Sequence, residues 1–297
     1  MQQIIKQMLD KYETESPEEK INALKEVIQE AVLAGLARGG FFKYAALYGG
    51  TALRIFYGLD RFSEDLDFSL IKQDEDFNIG KYFSVLEQEL ESLGLKFSIE
   101  EKMKSVDSVI KSAFIKGGTK GNILTFYPDN KQLEYFHSRE LIKIKFEIDT
   151  NPPLYANYEM KYKTMPSNYQ VRLYDAPSLF AGKLHALICR AWKNRIKGRD
   201  LYDYIFYVSR GIKVNLLHLQ ARMIVSGYMP YESKLTIEIL KEILIDKFSQ
   251  IDFNLAKKDV IPFVKNQNGL DIWCKDFFIS TVEDVKASNW KICVSKT

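Results

Sequence analysis

Apolar and polar positions near the start of the chain follow a helical period. Ile21, Leu24, Ile28, Ala31, Val32 and Leu36 recur at three- and four-residue spacing. Ser16-Pro17-Glu18-Glu19 supplies a capping serine, a proline suited to a first helical turn and an acid three residues after the serine. The spacing predicts a helix that Gly39-Gly40 ends. Tyr44 to Tyr48 reads as a short buried strand running into Gly49-Gly50, after which Thr51 to Tyr57 has room for about two helical turns. In Leu66-Asp67-Phe68-Ser69-Leu70 apolar residues alternate with polar ones, the pattern of a half-buried strand. Ile79 to Leu93 again has a helical period, with Tyr82, Phe83, Leu86 and Leu90 on one face and Gly94 as its stop.

Strand-like stretches follow at Lys96 to Ile99, Ser108 to Ile115 and Ile123 to Tyr127, separated by Gly117-Gly118 and followed by Pro128-Asp129-Asn130. A stronger strand is Ile142 to Asp149, where Ile142, Ile144, Phe146 and Ile148 alternate with Lys143, Lys145, Glu147 and Asp149 and Pro152-Pro153 closes the run. From Asp175 the pattern turns helical, over Pro177 to Trp192, Asp200 to Ser209, Leu216 to Val225, Ile237 to Phe248 and roughly Leu270 to Val285. The change predicts an α/β (α+β) N-terminal lobe with a mixed sheet over residues 1–170 and an α-helical lobe over 171–297.

A chain of 297 residues fits that division, and 46% hydrophobic with 27% charged residues is ordinary for a folded protein. The formal charge of +3 comes from 42 basic and 39 acidic residues, so a nucleic-acid partner would need a local basic surface. Cys189, Cys274 and Cys293 are too widely spaced for a disulfide framework or a zinc site, which points to a reducing cytoplasm. The charged first residues and the lack of a long apolar run predict neither a signal peptide nor a membrane partner.

The chemistry concentrates in Gly49-Gly50-Thr51-Ala52-Leu53-Arg54 and Arg61-Phe62-Ser63-Glu64-Asp65-Leu66-Asp67-Phe68. Two glycines between a strand and a helix let backbone approach a triphosphate, and the N–H groups of the helix start favour the anion. Asp65 and Asp67 are two apart on a strand and share a face. Two such carboxylates can ligate Mg²⁺, or Mn²⁺ in its place, while substrate phosphates complete the shell. Each feature alone also fits a plain tight turn or a solvated strand edge. Together they resemble the nucleotidyltransferase superfamily signature, and the string from Gly49 to Phe68 resembles the AbiEii/AbiGii family of nucleotidyltransferase toxins, encoded with antitoxins, among which the MenT enzymes modify tRNA ends. Fourteen residues stand between Gly50 and Asp65, a wide gap for the superfamily that suits the toxin family, as do Arg61 and Ser63 before the acid pair.

The resemblance covers roughly Tyr44 to Tyr207 and implies further residues. Superfamily enzymes place a third carboxylate on a strand like Ile142 to Asp149, which makes Asp149 a candidate metal ligand and base; a turn-capping role is the alternative. Pro177 to Leu187 and Gly198-Arg199-Asp200-Leu201-Tyr202-Asp203 also look like the toxin family. Lys183 lies on an otherwise apolar helix and needs solvent or an anion, for which the resemblance offers a triphosphate. Arg199, Asp200 and Asp203 would orient Lys183 or build the nucleotide pocket; the two acids would equally suit a helix N-terminus. The nucleotide-contacting set is then Gly49, Gly50, Thr51, Arg54, Arg61, Ser63, Lys183, Arg199, Asp200 and Asp203, with Asp65, Asp67, Asp149 and Lys183 catalytic.

Arg190, Trp192, Lys193, Arg195 and Lys197 form a basic strip with one aromatic, a candidate surface for RNA. The resemblance implies transfer of a nucleoside monophosphate from a nucleoside triphosphate to an RNA acceptor such as the tRNA 3′ end, with pyrophosphate released and a cognate antitoxin protein as partner. Transfer to a small-molecule or protein hydroxyl, and a nucleotide-binding module without turnover, are the competing readings. His137, His185 and His218 are isolated, and Cys189 reads as a core residue.

Overall fold

The computed structural model describes residues 2–102, 109–127, 141–190 and 196–288. The chain forms two compact units: Met1–Gly58 with Phe62–Pro152 and Glu159–Leu173, and Leu59–Arg61 with Pro153–Tyr158 and Tyr174–Thr297.

The first unit is built on a seven-stranded mixed sheet. Its strands are β1 (Ala45–Tyr48), β2 (Leu66–Leu70), β3 (Ser98–Lys102), β4 (Ile110–Gly118), β5 (Leu141–Asp149), β6 (Tyr158–Lys163) and β7 (Tyr169–Tyr174), in the order β3-β4-β5-β2-β1-β7-β6. β1 runs antiparallel to β2 and parallel to β7, and β2 runs parallel to β5. The helices here are α1 (Gln2–Leu9), α2 (Pro17–Arg38), α3 (Gly49–Tyr57), α4 (Phe83–Ser92) and α5 (Thr119–Phe126). α2 begins where its sequence signals a start. Ser16 Oγ accepts from the Glu19 amide at 3.2 Å and the Glu19 carboxylate accepts from the Ser16 amide at 3.0 Å, which satisfies two otherwise orphaned donors. Its apolar stripe is buried, and the nearby core is aromatic, with Phe41 edge-on to Phe68 at 4.9 Å and Phe68 beside Phe146 at 4.8 Å. Each such buried ring contributes roughly 1.5–3 kcal/mol.

Residues Ile123 to Tyr127, expected as a strand, lie mostly in helix α5. A short apolar run does not fix its own period. Here Asn122 Nδ2 donates to the Gly118 carbonyl and Thr125 Oγ1 to the Gly121 carbonyl, each at 2.8 Å, and the helix packs on α1 and α2. Strands β6 and β7 stand beyond the expected elements, although Tyr158-Glu159-Met160-Lys161-Tyr162-Lys163 and Tyr169-Gln170-Val171-Arg172-Leu173 both alternate apolar with polar residues.

The second unit is helical: α6 (Ala176–Cys189), α7 (Gly198–Ser209), α8 (Leu216–Val225), α9 (Ile237–Ser249), α10 (Phe253–Val260) and α11 (Lys275–Thr281). Asp175, Asn215 and Thr236 cap α6, α8 and α9 through their side chains. The stretch from Leu270 to Val285, expected as one helix, is broken. Cys274 is extended at φ −148° ahead of α11, and Trp273, nearly buried, meets Phe278 edge-on at 5.3 Å. Two earlier segments belong to this unit for identifiable reasons. Leu154 and Tyr155 offer carbonyls to His218 Nδ1 and Asn215 Nδ2, each at 2.8 Å. Arg61, only 2% exposed, binds both carboxylate oxygens of Asp203 at 2.6 Å. Among the described residues no helix is long and apolar enough to cross a membrane.

Two predictions follow from this packing. A Cβ built on Gly198 would stand 1.9 Å from the Ala256 carbonyl oxygen, where α7 meets α10. Gly198→Ala is therefore expected to cost at least about 1–3 kcal/mol, read as a lowered denaturant midpoint. Burial opposes ionisation of Asp203, but the charges of Arg61 and Lys183 outweigh it and hold the carboxyl below its ordinary 3.8. That stabilisation is complete above the ordinary value and disappears as pH falls through the lower folded value. Asp203→Asn is expected to lose about 3–5 kcal/mol near neutrality, by leaving Arg61 buried against a neutral amide. The gap to wild type should shrink in unfolding curves recorded at successively lower pH beneath about 4.

Candidate active site

In the first unit the β1–α3 turn and strand β2 converge on one point. Gly49 has φ +80°, and a Cβ there would lie 2.8 Å from Asp67 Oδ2. Glycine is thus required twice, by the left-handed backbone and by the carboxylate pressed against it. Tyr48, paired with Asp67 across the strands, gives α3 no side-chain cap, so the helix opens with backbone donors beside an acidic group. Thr51, buried, donates its hydroxyl to the Asp65 carbonyl, tying the first turn of α3 to the entry of β2.

The parallel register of β2 and β5 sets Asp67 opposite Glu147 and Ser69 opposite Asp149. Glu147 is therefore the β5 acid level with Asp67, and Asp149 stands two residues further along. The Asp149 carboxylate also accepts the Asn151 amide at 3.0 Å, in a turn. Glu147 takes a hydrogen bond from Ser112 at 3.1 Å and pairs with Lys145 at 2.6 Å. Burial pulls the Lys145 pKa down, but Glu147, Asp65 and Asp67 more than offset it and hold the ammonium above its ordinary value. Glu147 and Lys145 were visible in the sequence only as polar positions of a strand; the register gives them their place.

The loop ahead of β2 is held residue by residue. Arg54 lies 4.7 Å over the Phe62 ring and pairs with Glu26 at 2.6 Å. Gln29, fully buried, donates to the Ser63 carbonyl at 3.0 Å, and Lys25 pairs with Glu64 at 3.4 Å. Arg54 is thus engaged by α2, and Ser63 is fixed through its backbone.

The second unit gathers another charged group. Lys183 on α6 lies 2.8 Å from both Asp200 and Asp203 on α7, and Arg190 reaches Asp200 at 2.6 Å. With the Arg61–Asp203 pair this makes three cations on two acids, an excess of one positive charge. The anion that Lys183 needs is present within its own unit. Burial pulls its pKa down, yet Asp200 and Asp203 raise it overall, so Lys183 is charged at neutral pH. Arg199 lies 4.1 Å over the Phe263 ring, and Lys197 stands at the start of α7. Trp192, Lys193 and Arg195, and His137 and Cys293, lie outside the described residues. Burial lowers the pKa of His185 to about 4 and that of His218 to about 3, which leaves both neutral near pH 7.

Among the described residues no three His, Cys, Asp or Glu side chains gather as a ready-made metal cage. Mg²⁺ does not require one, since it is commonly bound by one or two carboxylates with substrate phosphates. The hard oxygens of Asp65 and Asp67 fit that role. A pocket of about 440 Å³ in the first unit, lined by Arg38, Lys43, Asn168 and Arg172 among others, contains none of these acids.

No curated protein matches the chain. Among solved structures, a candidate nucleotidyltransferase from H. pylori is 22% identical, over 87% of this chain and 89% of that one, with a TM-score of 0.42. JHP933 from Helicobacter pylori is also 22% identical, over 88% of each chain, with a TM-score of 0.43. The family pattern described as nucleotidyl transferase AbiEii toxin, type IV toxin–antitoxin system, matches residues 31–280. The chain belongs to the AbiEii family of nucleotidyltransferase toxins.

Proposed function

We propose that this nucleotidyltransferase works through a divalent cation held by Asp65 and Asp67 and passes a nucleoside monophosphate from a nucleoside triphosphate to an RNA hydroxyl, such as a tRNA 3′ end, in the cytoplasm. The observation that carries the reading is the contact of Gly49 with Asp67: it leaves the open start of α3 beside an acid pair. When bound, Mg²⁺ or Mn²⁺ supplies the charge that activates the attacking hydroxyl and stabilises the departing pyrophosphate.

The remaining steps belong to the chain. Gly49, Gly50 and Thr51 admit a phosphate to the helix start, where backbone donors attract it. Thr51 holds the Asp65 backbone, and Arg54 and Ser63 act by fixing the loop that presents the two acids. Asp149 is a candidate third acid, and Glu147 stands nearer to Asp67 in register. Lys183 is kept charged and oriented by Asp200 and Asp203, and with Arg61 and Arg190 it offers a net positive group suited to phosphate. Arg199 is engaged with an aromatic ring, which favours a structural part for it. For the RNA, the strip of Arg190, Trp192, Lys193, Arg195 and Lys197 is the proposed contact, with Arg190 already drawn to Asp200. Family membership implies a cognate antitoxin.

Incubating the protein with total RNA, a divalent cation and each labelled triphosphate in turn should place label in RNA. Asp65→Asn or Asp67→Asn should cut transfer by at least about a hundredfold with the circular dichroism spectrum unchanged. Wild-type turnover in both variants would remove the acid pair from the mechanism. Label confined to small molecules or to protein would replace RNA as the acceptor while keeping the chemistry.

A further inference from the structure

Lys145 is positioned to do more than solvate a strand. It shares a face of β5 with Glu147, and its Nζ lies 2.6 Å from Glu147 Oε2 with its side chain about one-third exposed. Leu66 pairs with Phe146 and Asp67 with Glu147, so the residue of the neighbouring chain segment level with Lys145 is Asp65. One ammonium therefore pairs with Glu147 on its own strand, and the charges of Asp65 and Asp67 on the adjacent segment act on it as well.

Carboxylates on adjacent segments of one sheet face repel one another, and a cation beside them offsets that repulsion. With no divalent ion bound, this ammonium brings positive charge to that face through its pairing with Glu147. A divalent ion entering between Asp65 and Asp67 meets the same ammonium as a like charge. The lysine stem is long and flexible enough to withdraw its head group toward water.

We propose that Lys145 is a resident counter-ion of the acidic face, whose negative charge it partly offsets in the metal-free protein and from which it must be displaced, so that it sets the divalent-ion concentration at which the site fills. The proposal rests on the metal-holding role assigned above to Asp65 and Asp67. It gives Lys145 an effect on metal affinity opposite in sign to that of a residue that builds the site: removing it tightens binding. A lysine that served only the substrate phosphates would leave binding of the cation alone unchanged.

The test is direct binding of Mn²⁺ to the full chain without nucleotide, followed by the electron paramagnetic resonance signal of free Mn²⁺. Lys145→Met is expected to bind roughly tenfold more tightly than wild type, equivalent to about 1.4 kcal/mol. Lys145→Gln, which keeps a donor for Glu147 without the charge, should move the same way, and it carries the test if the Met variant does not fold. Without metal both variants should melt lower than wild type, and Mn²⁺ should raise their melting temperatures by more. Unchanged or weaker binding in the folded variants, or opposite shifts for Met and Gln, would overturn the proposal. Asp67→Asn separates the two levels of the argument: if it binds Mn²⁺ as wild type does, the metal assignment itself falls and the counter-ion role with it. If Asp67→Asn loses the ion while the Lys145 variants bind as wild type does, only the role of Lys145 is removed.

Discussion

The bidentate pairing of Arg61 with Asp203 joins residues 142 positions apart and is shut away from water, so neither partner tolerates loss of the other. Much of the second unit is arranged around it. Asp203 shares Lys183 with Asp200, Asp200 holds Arg190, and α6 is thereby fixed to α7 by charge as well as by the stacked rings of Phe180 and Tyr207 at 4.5 Å. The chain changes unit immediately after Arg61. Leu59 to Arg61 belong with the helices, and from Phe62 onward the residues belong with the sheet. The four residues from Phe62 to Asp65 are then held in sequence by Arg54, Gln29, Lys25 and Thr51, each through a different contact. The backbone of the first acid is placed by this succession.

Steric economy governs the acidic face. A Cβ on Gly49 would stand 2.8 Å from Asp67 Oδ2, so a side chain there would displace the carboxylate, and the left-handed conformation would strain it. The parallel register of β2 on β5 adds Glu147 and Lys145 to the same neighbourhood, so the local charge balance is a property of two strands together. Charge compensation recurs as the organising rule in both units: acids that are partly or wholly buried are met by a lysine or an arginine within 3.0 Å, as at Glu26, Glu30, Glu147 and Asp203.

What could be read directly from the sequence was whatever depended on local period or local caps. Helix α2 and its capping box, strand β2, strand β5 to within a residue and helix α8 all follow from spacing alone. So does the nearness of a glycine turn to an acid pair, although only Asp67 lies on β2 and Asp65 stands just ahead of it, because both lie within one stretch of chain. Features that depend on partners distant in sequence were hidden. Residues around Ile123 took the helical form when packed on α1 and α2, whereas the alternation of β6 and β7 was local and legible, and only their place at the sheet edge was not. The break before α11 falls at Cys274, next to the buried Trp273, and no periodicity announces it. Lys183 was recognisable as a lysine in need of an anion, but that its anions are Asp200 and Asp203 appears only when α6 lies against α7. Glu147 stood in plain view with the right chemistry; only strand register ranks it against Asp149.

The separation of Arg61 from Asp203 also bears on how the chain is made. At synthesis rates of about 5–20 residues per second, roughly 7–30 s pass between the emergence of the guanidinium and that of the carboxylate that must receive it. Through that interval the nascent chain holds Gly49, Asp65 and Asp67 already translated, yet the loop leading into the acid pair lacks its distal anchor. A truncated product that stops before α7 would carry every residue of the acidic face and none of the acids that hold Arg61 and Lys183. For a toxin, that order of events confines the contacts that Arg61 and Lys183 make with Asp203 to chains translated past that residue.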